Sequence, residues 1–249
     1  MSRILFVLIV GMTCLASSLC LGTESMGTPA AKLEFDKGNA LVTGGDFSSA
    51  AKAYRRAIEI DPDFAQAHQN YIFMTQLSAE QNNSAKDAKT GEKIYQQLQA
   101  EYEELSKQHP EKAAYQWALG YMNLELLAEI AENHIRSALT IDPVFAPAYA
   151  LLSTIDGSRG DLEACREDLR KAVEANPDNS IYRFLYAYEL KTANRDEFLR
   201  QSKEILQRYP DSEAAVSILY VLSSEAKTPE EKIKYLETRT VPLRRSRGY

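Results

Sequence analysis

The chain has 249 residues, 45% of them apolar and 26% charged, with a formal net charge of −6. This is the composition of an ordinary folded protein, and it excludes wholesale disorder. The acidic balance argues against nonspecific nucleic-acid binding, which needs clustered Lys and Arg, and three cysteines with three histidines are too few for a disulfide framework or several zinc sites.

Residues 1–22, MSRILFVLIVGMTCLASSLCLG, carry a single charge at Arg3. A short basic start, the apolar run Ile4–Val10 and the small residues Gly11, Ala16, Ser17 and Ser18 have the layout of a secretory signal peptide. Two other readings stand beside it. The uncharged stretch Ile4–Thr23 has 20 residues, long enough for an uncleaved membrane anchor. Lipid attachment at Cys20 is the third, with Leu19 standing where a small residue is expected. Each predicts an exported chain, periplasmic or secreted, that meets the membrane only through this segment. Beyond the segment one cysteine remains, Cys165, which reads as a small buried helix residue.

Residues 23–30 read as a linker, 31–240 as a helical repeat domain and 241–249 as a basic tail. The repeat is visible in its prolines. Ile60-Asp61-Pro62, Ile141-Asp142-Pro143 and Ala175-Asn176-Pro177 share one pattern, with looser copies at His109-Pro110 and Tyr209-Pro210. From Pro110 onward the spacings are 33, 34 and 33 residues. The 48 residues from Pro62 to Pro110 hold one period of 34 and an insertion of 14, placed near 79–92.

In the first unit, small Gly38 lets a second helix come close. Gly44-Gly45-Asp46 supplies the turn, and Ala50, Tyr54 and Ala57 fall on one face before Asp61-Pro62 ends the helix. The second unit starts near Ala65. Its second helix is expected from about Ala85 to Gln108, with Ser84 and Asp87 as a capping box and Ile94, Leu98, Tyr102 and Leu105 as the apolar stripe. The third places Tyr115, Leu119 and Met122 against Ala131, Ile135 and Ala138. The fourth repeats the glycine turn at Gly160-Asp161, with Cys165, Leu169 and Ala172 in the places of Ala50, Tyr54 and Ala57. The fifth offers Tyr182, Leu185 and Tyr186 with Phe198 and Ile205. The sixth offers Leu219 and Leu222, then Tyr235 on a helix starting near Pro229 with Thr228 as its cap.

A period of 34 with these residues resembles the tetratricopeptide repeat. The resemblance covers residues 31 to about 239 and is densest in units one and four. It implies an all-α, superhelical solenoid of about six helix-turn-helix repeats with a concave groove. In this family the first helix of each pair lines the groove. Carried over by position, that gives Lys32, Phe35, Asn39 and Val42, then Gln66, Gln69, Phe73 and Gln76. Unit four gives Pro147, Ala150, Thr154 and Gly157, unit five Ser180, Arg183, Ala187 and Leu190, and unit six Glu213, Val216, Tyr220 and Ser223. Unit three has two frames: counting back from Pro143 gives Gln116, Gly120 and Asn123, and aligning Gly120 with Gly38 gives Trp117, Tyr121 and Leu124. Phe35, Asn39, Gln66, Gln69, Phe73, Arg183 and Tyr220 are the candidate partner-binding residues. Asn39 and Asn70 match the asparagines of the family's carboxylate clamp, but Phe35 stands where that clamp has a lysine, and the clamp is incomplete.

The sequence contains no phosphate loop, nucleophile elbow or HExxH pair. His68, His109 and His134 stand apart, and no metal or cofactor is expected. The reading is a non-enzymatic scaffold of the cell envelope that holds a peptide or helix of another protein. The alternative is a docking module of an exported redox or hydrolytic system.

Overall fold

The computed structural model describes residues 27–82, 88–124, 127–226, 228 and 235. Among them run eleven helices: α1 Pro29–Thr43, α2 Phe47–Ile60, α3 Ala65–Asn82, α4 Ala88–Gln108, α5 Ala113–Asn123, α6 Ala128–Ile141, α7 Ala146–Arg159, α8 Leu162–Ala175, α9 Ser180–Ala193, α10 Arg195–Arg208 and α11 Glu213–Ser224. No strand occurs among the described residues. Consecutive helices pair as α1/α2, α3/α4, α5/α6, α7/α8 and α9/α10, and α11 opens a sixth pair. The expected all-α repeat array is therefore present. Residues 1–26, the expected Ser84/Asp87 box and Pro229 lie outside the described residues.

Local chemistry sets the helix ends. Pro29 opens α1, where no intrahelical N–H is lost, and the Thr28 hydroxyl accepts from Ala31 N–H at 3.4 Å. Gly45 turns the chain at φ +76, and Asp46 then caps α2 by accepting from Ser49 N–H at 3.0 Å. Gly160, at φ +83, and Asp161, accepting from Ala164 N–H at 3.0 Å, do the same before α8. Between α9 and α10 one residue serves both ends. Asn194 N–H donates to the Leu190 carbonyl at 2.8 Å, and its side chain accepts from Glu197 N–H at 3.1 Å.

Close approach within pairs depends on missing side chains. A Cβ on Gly38 would lie 2.5 Å from the Tyr54 ring. A Cβ on Gly120 would lie 2.6 Å from Ile135 and 3.1 Å from the Ala131 carbonyl. Gly120 therefore does in α5 what Gly38 does in α1, and this settles the third unit in favour of the frame that aligns the two.

The insertion lengthens both helices of the second pair. α3 has 18 residues and α4 has 21, against 14 in each helix from α6 to α10. Gln81, near the end of α3, reaches the Gly45 carbonyl at 3.4 Å.

The buried apolar residues form two clusters. The first runs from Ala31 to Ile155, through α1–α7. The second joins Ala187 and Leu190 of α9 to Phe198 and Ile205 of α10 and to Ala214, Ala215, Ile218, Val221 and Leu222 of α11, with Tyr235 packed against it.

Candidate functional site

The candidate site is the row of first helices α1, α3, α5, α7, α9 and α11. Its best-defined part spans the first two pairs. The Tyr54 hydroxyl, rising from α2, donates to Asn39 Oδ1 at 2.7 Å and is also hydrogen-bonded to Asn70 on α3. Burial pushes the Tyr54 phenol up to about 12, so it stays protonated. The two asparagines matched to the family's clamp are thus joined by a shared hydroxyl. Gln66, Gln69 and Phe73 sit half-buried along α3, with Phe73 packed on the first cluster.

Two predicted groove residues are corrected. Phe35 is only 5% exposed. Its ring lies 5.2 Å from Tyr54 and 4.8 Å from Phe64, because α3 enters close enough for Phe64 to cover it. Phe35 is core. Arg183 is likewise 5% exposed. Its guanidinium donates to Gln201 Oε1 at 2.9 Å and to the Pro177 carbonyl at 3.0 Å, with Glu204 at 3.2 Å. A buried guanidinium needs such partners, and these hold it between α9 and α10.

Arg183 is misplaced because the whole frame of unit five is. Ser180, Arg183, Ala187 and Leu190 are all buried. One residue later, Ile181, Phe184 and Lys191 are half-buried and Tyr188 is 43% exposed. The cause is the single-residue turn at Asn194. Unit five loses its residue after its first helix, so counting back from Pro210 displaces α9 by one. The first helices α3, α5, α7 and α9 each start three residues after the preceding proline, at Ala65, Ala113, Ala146 and Ser180. That rule, legible in the sequence, would have placed α5 and α9 correctly.

The groove residues missed in this way are Phe184, Tyr188 and Lys191. The Phe184 and Tyr188 rings are 6.1 Å apart, and Lys191 Nζ lies 5.2 Å from the Tyr188 ring centre. Tyr220, correctly placed on α11, is 73% exposed. In unit three, Trp117 takes the position of Phe35 and is also buried. Its ring stacks on Tyr121 at 5.5 Å, and its Nε1–H donates to the Pro147 carbonyl at 2.9 Å. Val42 of unit one and Ser223 of unit six are buried as well.

Behind the row lies a polar knot that the sequence did not disclose. His68 is fully buried on α3, with Nδ1 2.9 Å from the Tyr102 hydroxyl and Nε2 2.8 Å from the Pro62 carbonyl. Since a carbonyl only accepts, Nε2 carries the proton and Nδ1 accepts from Tyr102. Burial drives the imidazole down to about 4, so it is neutral. Beside it, the Tyr71 hydroxyl donates to Glu101 at 2.9 Å, and Arg55 meets Glu101 at 3.2 Å. His109 is exposed at the end of α4, and His134 is half-buried with Nδ1 2.8 Å from Gln116 Oε1. Cys165 is buried, and burial pushes its thiol up to about 11, which suits packing and not nucleophilic chemistry. No group of three His, Cys, Asp or Glu among the described residues is arranged to hold a metal ion. No described helix is long and apolar enough to cross a membrane.

Comparison with known proteins agrees with the helix pairs. A TPR-repeat profile matches residues 38–70, and a tetratricopeptide-repeat profile matches residues 146–179. Among solved structures, the chain is similar to a thermophilic TPR protein of Thermus thermophilus at 15% identity, covering 84% of this chain and 98% of that one, with a TM-score of 0.49. It is similar to PilW, a widely conserved type IV pilus biogenesis factor, at 14% identity, 78% and 100% coverage and a TM-score of 0.43. It is similar to YrrB, a TPR protein with an unusual peptide-binding site, at 15% identity, 74% and 89% coverage and a TM-score of 0.42. With two repeat profiles falling on units one and four of an uninterrupted series of helix pairs, the chain is a member of the tetratricopeptide-repeat family.

Proposed function

We propose that this protein is a non-enzymatic scaffold of the cell envelope that holds an extended segment or helix of another protein along its first helices. The observation that carries the reading is the row itself. Amides at Asn39, Gln66 and Gln69 and partly open aromatics at Phe73, Phe184, Tyr188 and Tyr220 recur on successive first helices. Amides suit a partner's backbone, and aromatic faces suit its apolar side chains. Envelope location rests on the signal-like residues 1–22.

The test is capture by the full chain, crosslinked in an envelope fraction, beside a variant carrying Gln69→Ala, Phe73→Ala, Tyr188→Ala and Tyr220→Ala. The expected outcome is one partner protein retained by the wild type and lost by the variant, with circular dichroism unchanged. Equal capture by both would place the binding surface elsewhere.

A further inference from the structure

Between the two apolar clusters the buried residues change character. Beside the apolar Leu169, Ala172 and Val173, the boundary from α8 to α10 buries Asp168, Asn176, Ser180, Arg183, Gln201 and Ser202. The most demanding of these is Asp168, 8% exposed, which is hydrogen-bonded to Asp156 on the facing helix α7. Two carboxyl groups can share a hydrogen bond only while one of them keeps its proton.

The charges around the pair do not replace that proton. On α8 itself, Lys171 Nζ is 3.7 Å from Asp168, and Glu167 lies 3.8 Å from the same ammonium. Arg170 is held by Glu167 at 2.7 Å and by Glu174. On α7, Arg159 reaches Asp156 only at 4.0 Å and is drawn to Glu132 of α6 at 2.6 Å. Arg136, the α6 cation that attracts Asp168, is also bound to Glu132, at 2.7 Å. From α9 comes another carboxylate, Glu189, which faces Cys165 one turn earlier on α8, where Arg166 is the opposing cation.

We propose that the fourth helix pair is a pH-sensitive joint between two arms of the array: with a proton shared by Asp156 and Asp168 the pair stays closed, and with both ionised α7 and α8 part more readily. The protonated state is accessible in mildly acidic conditions, since burial, with Asp156 adding to it, pushes Asp168 up to about 6. The folded pair then binds more protons than the unfolded chain between about pH 4 and pH 6, so its closure weakens as pH rises through that window. The joint lies where no continuous apolar core spans the boundary, so loosening it frees the second cluster relative to the first.

Hydrogen–deuterium exchange on the full chain at pH 5 and pH 7.5 tests this, with rates corrected for intrinsic exchange chemistry. Protection of α7 and α8 should fall about tenfold from the lower to the higher pH, the change expected for a carboxyl raised from near 4 to about 6. Helices α2 and α11 should not follow. In Asp168→Asn the step should vanish, and Asp156→Asn should do the same and is read in its place if the first variant is unfolded. A flat response in the wild type, an undiminished step in the folded variants, or an equal loss of protection in every helix would overturn the joint.

Discussion

The two apolar clusters solve the same packing problem differently. In α1–α7, a missing side chain on the first helix receives a large one from the second, as Gly38 receives Tyr54 and Gly120 receives Ile135. Its buried polar groups, such as His68 and Tyr102, are neutral. In α9–α11 the glycine position is Ala187, and the place of Tyr54 is taken by Ser202. The space is filled instead by Arg183 with Gln201 and Glu204. The first arm is held by shape and the second partly by charge, which costs more to desolvate. The lesson is that a repeat array with one topology distributes stability unevenly, and that units lacking the small-to-large exchange must import polar partners.

The comparison breaks first where the second arm has its one large apolar anchor. Phe198→Ala removes a fully buried ring and should destabilise α9–α11 by about 3–5 kcal/mol, read as loss of amide protection there while α1–α6 stay protected. If both arms unfolded together, they would be one cooperative unit.

Acid attacks the first arm in turn. His68 takes a proton near 6.5 when unfolded and near 4 when folded. The unfolded chain therefore binds more protons in that window, and stability is full above about pH 6.5 and falls as pH drops toward 4. The loss should approach about 3 kcal/mol by pH 4. Chemical denaturation across this range, compared with His68→Gln, measures it. Asp168 acts in the opposite direction over a similar window, so Asp168→Asn should steepen the acid loss.

A smaller effect sharpens the contrast in packing. Gly120→Ala forces a Cβ against Ile135 and a backbone carbonyl and should cost about 1–3 kcal/mol. Ala187→Gly in the second arm creates no such clash, and its cost should stay near 1 kcal/mol, from helix propensity and the lost methyl. At the bottom of the scale, Tyr220→Ala should change stability by less than about 0.5 kcal/mol, because an exposed ring contributes little to the fold. Its effect should appear only in partner capture.

Much of the fold was legible because prolines and glycine turns are local signals. Pro62, Pro143 and Pro177 mark helix ends by backbone geometry alone, and Gly45 and Gly160 adopt the positive φ their turns require. The groove was less legible. Which face of a helix is open depends on rotation, and one residue turns it by about 100°. Asn194 hid such a residue by capping two helices at once. Phe35 shows a second limit: its position along α1 is legible, but its burial depends on Phe64 arriving from the next unit. The His68–Tyr102 pair joins residues 34 apart across the insertion and left no motif.

The hydroxyl of Tyr54 carries a consequence for recognition. A free surface amide samples several rotamers and hydrogen-bonds to water, and a partner must remove both freedoms on arrival. Asn39 and Asn70 have surrendered part of that freedom to a phenol anchored from the opposite helix. They stand pre-oriented, so the entropy of ordering them is spent when the chain folds. Tyr54→Phe, which keeps the ring and removes the placeholder, should therefore weaken partner binding more through its entropy than its enthalpy.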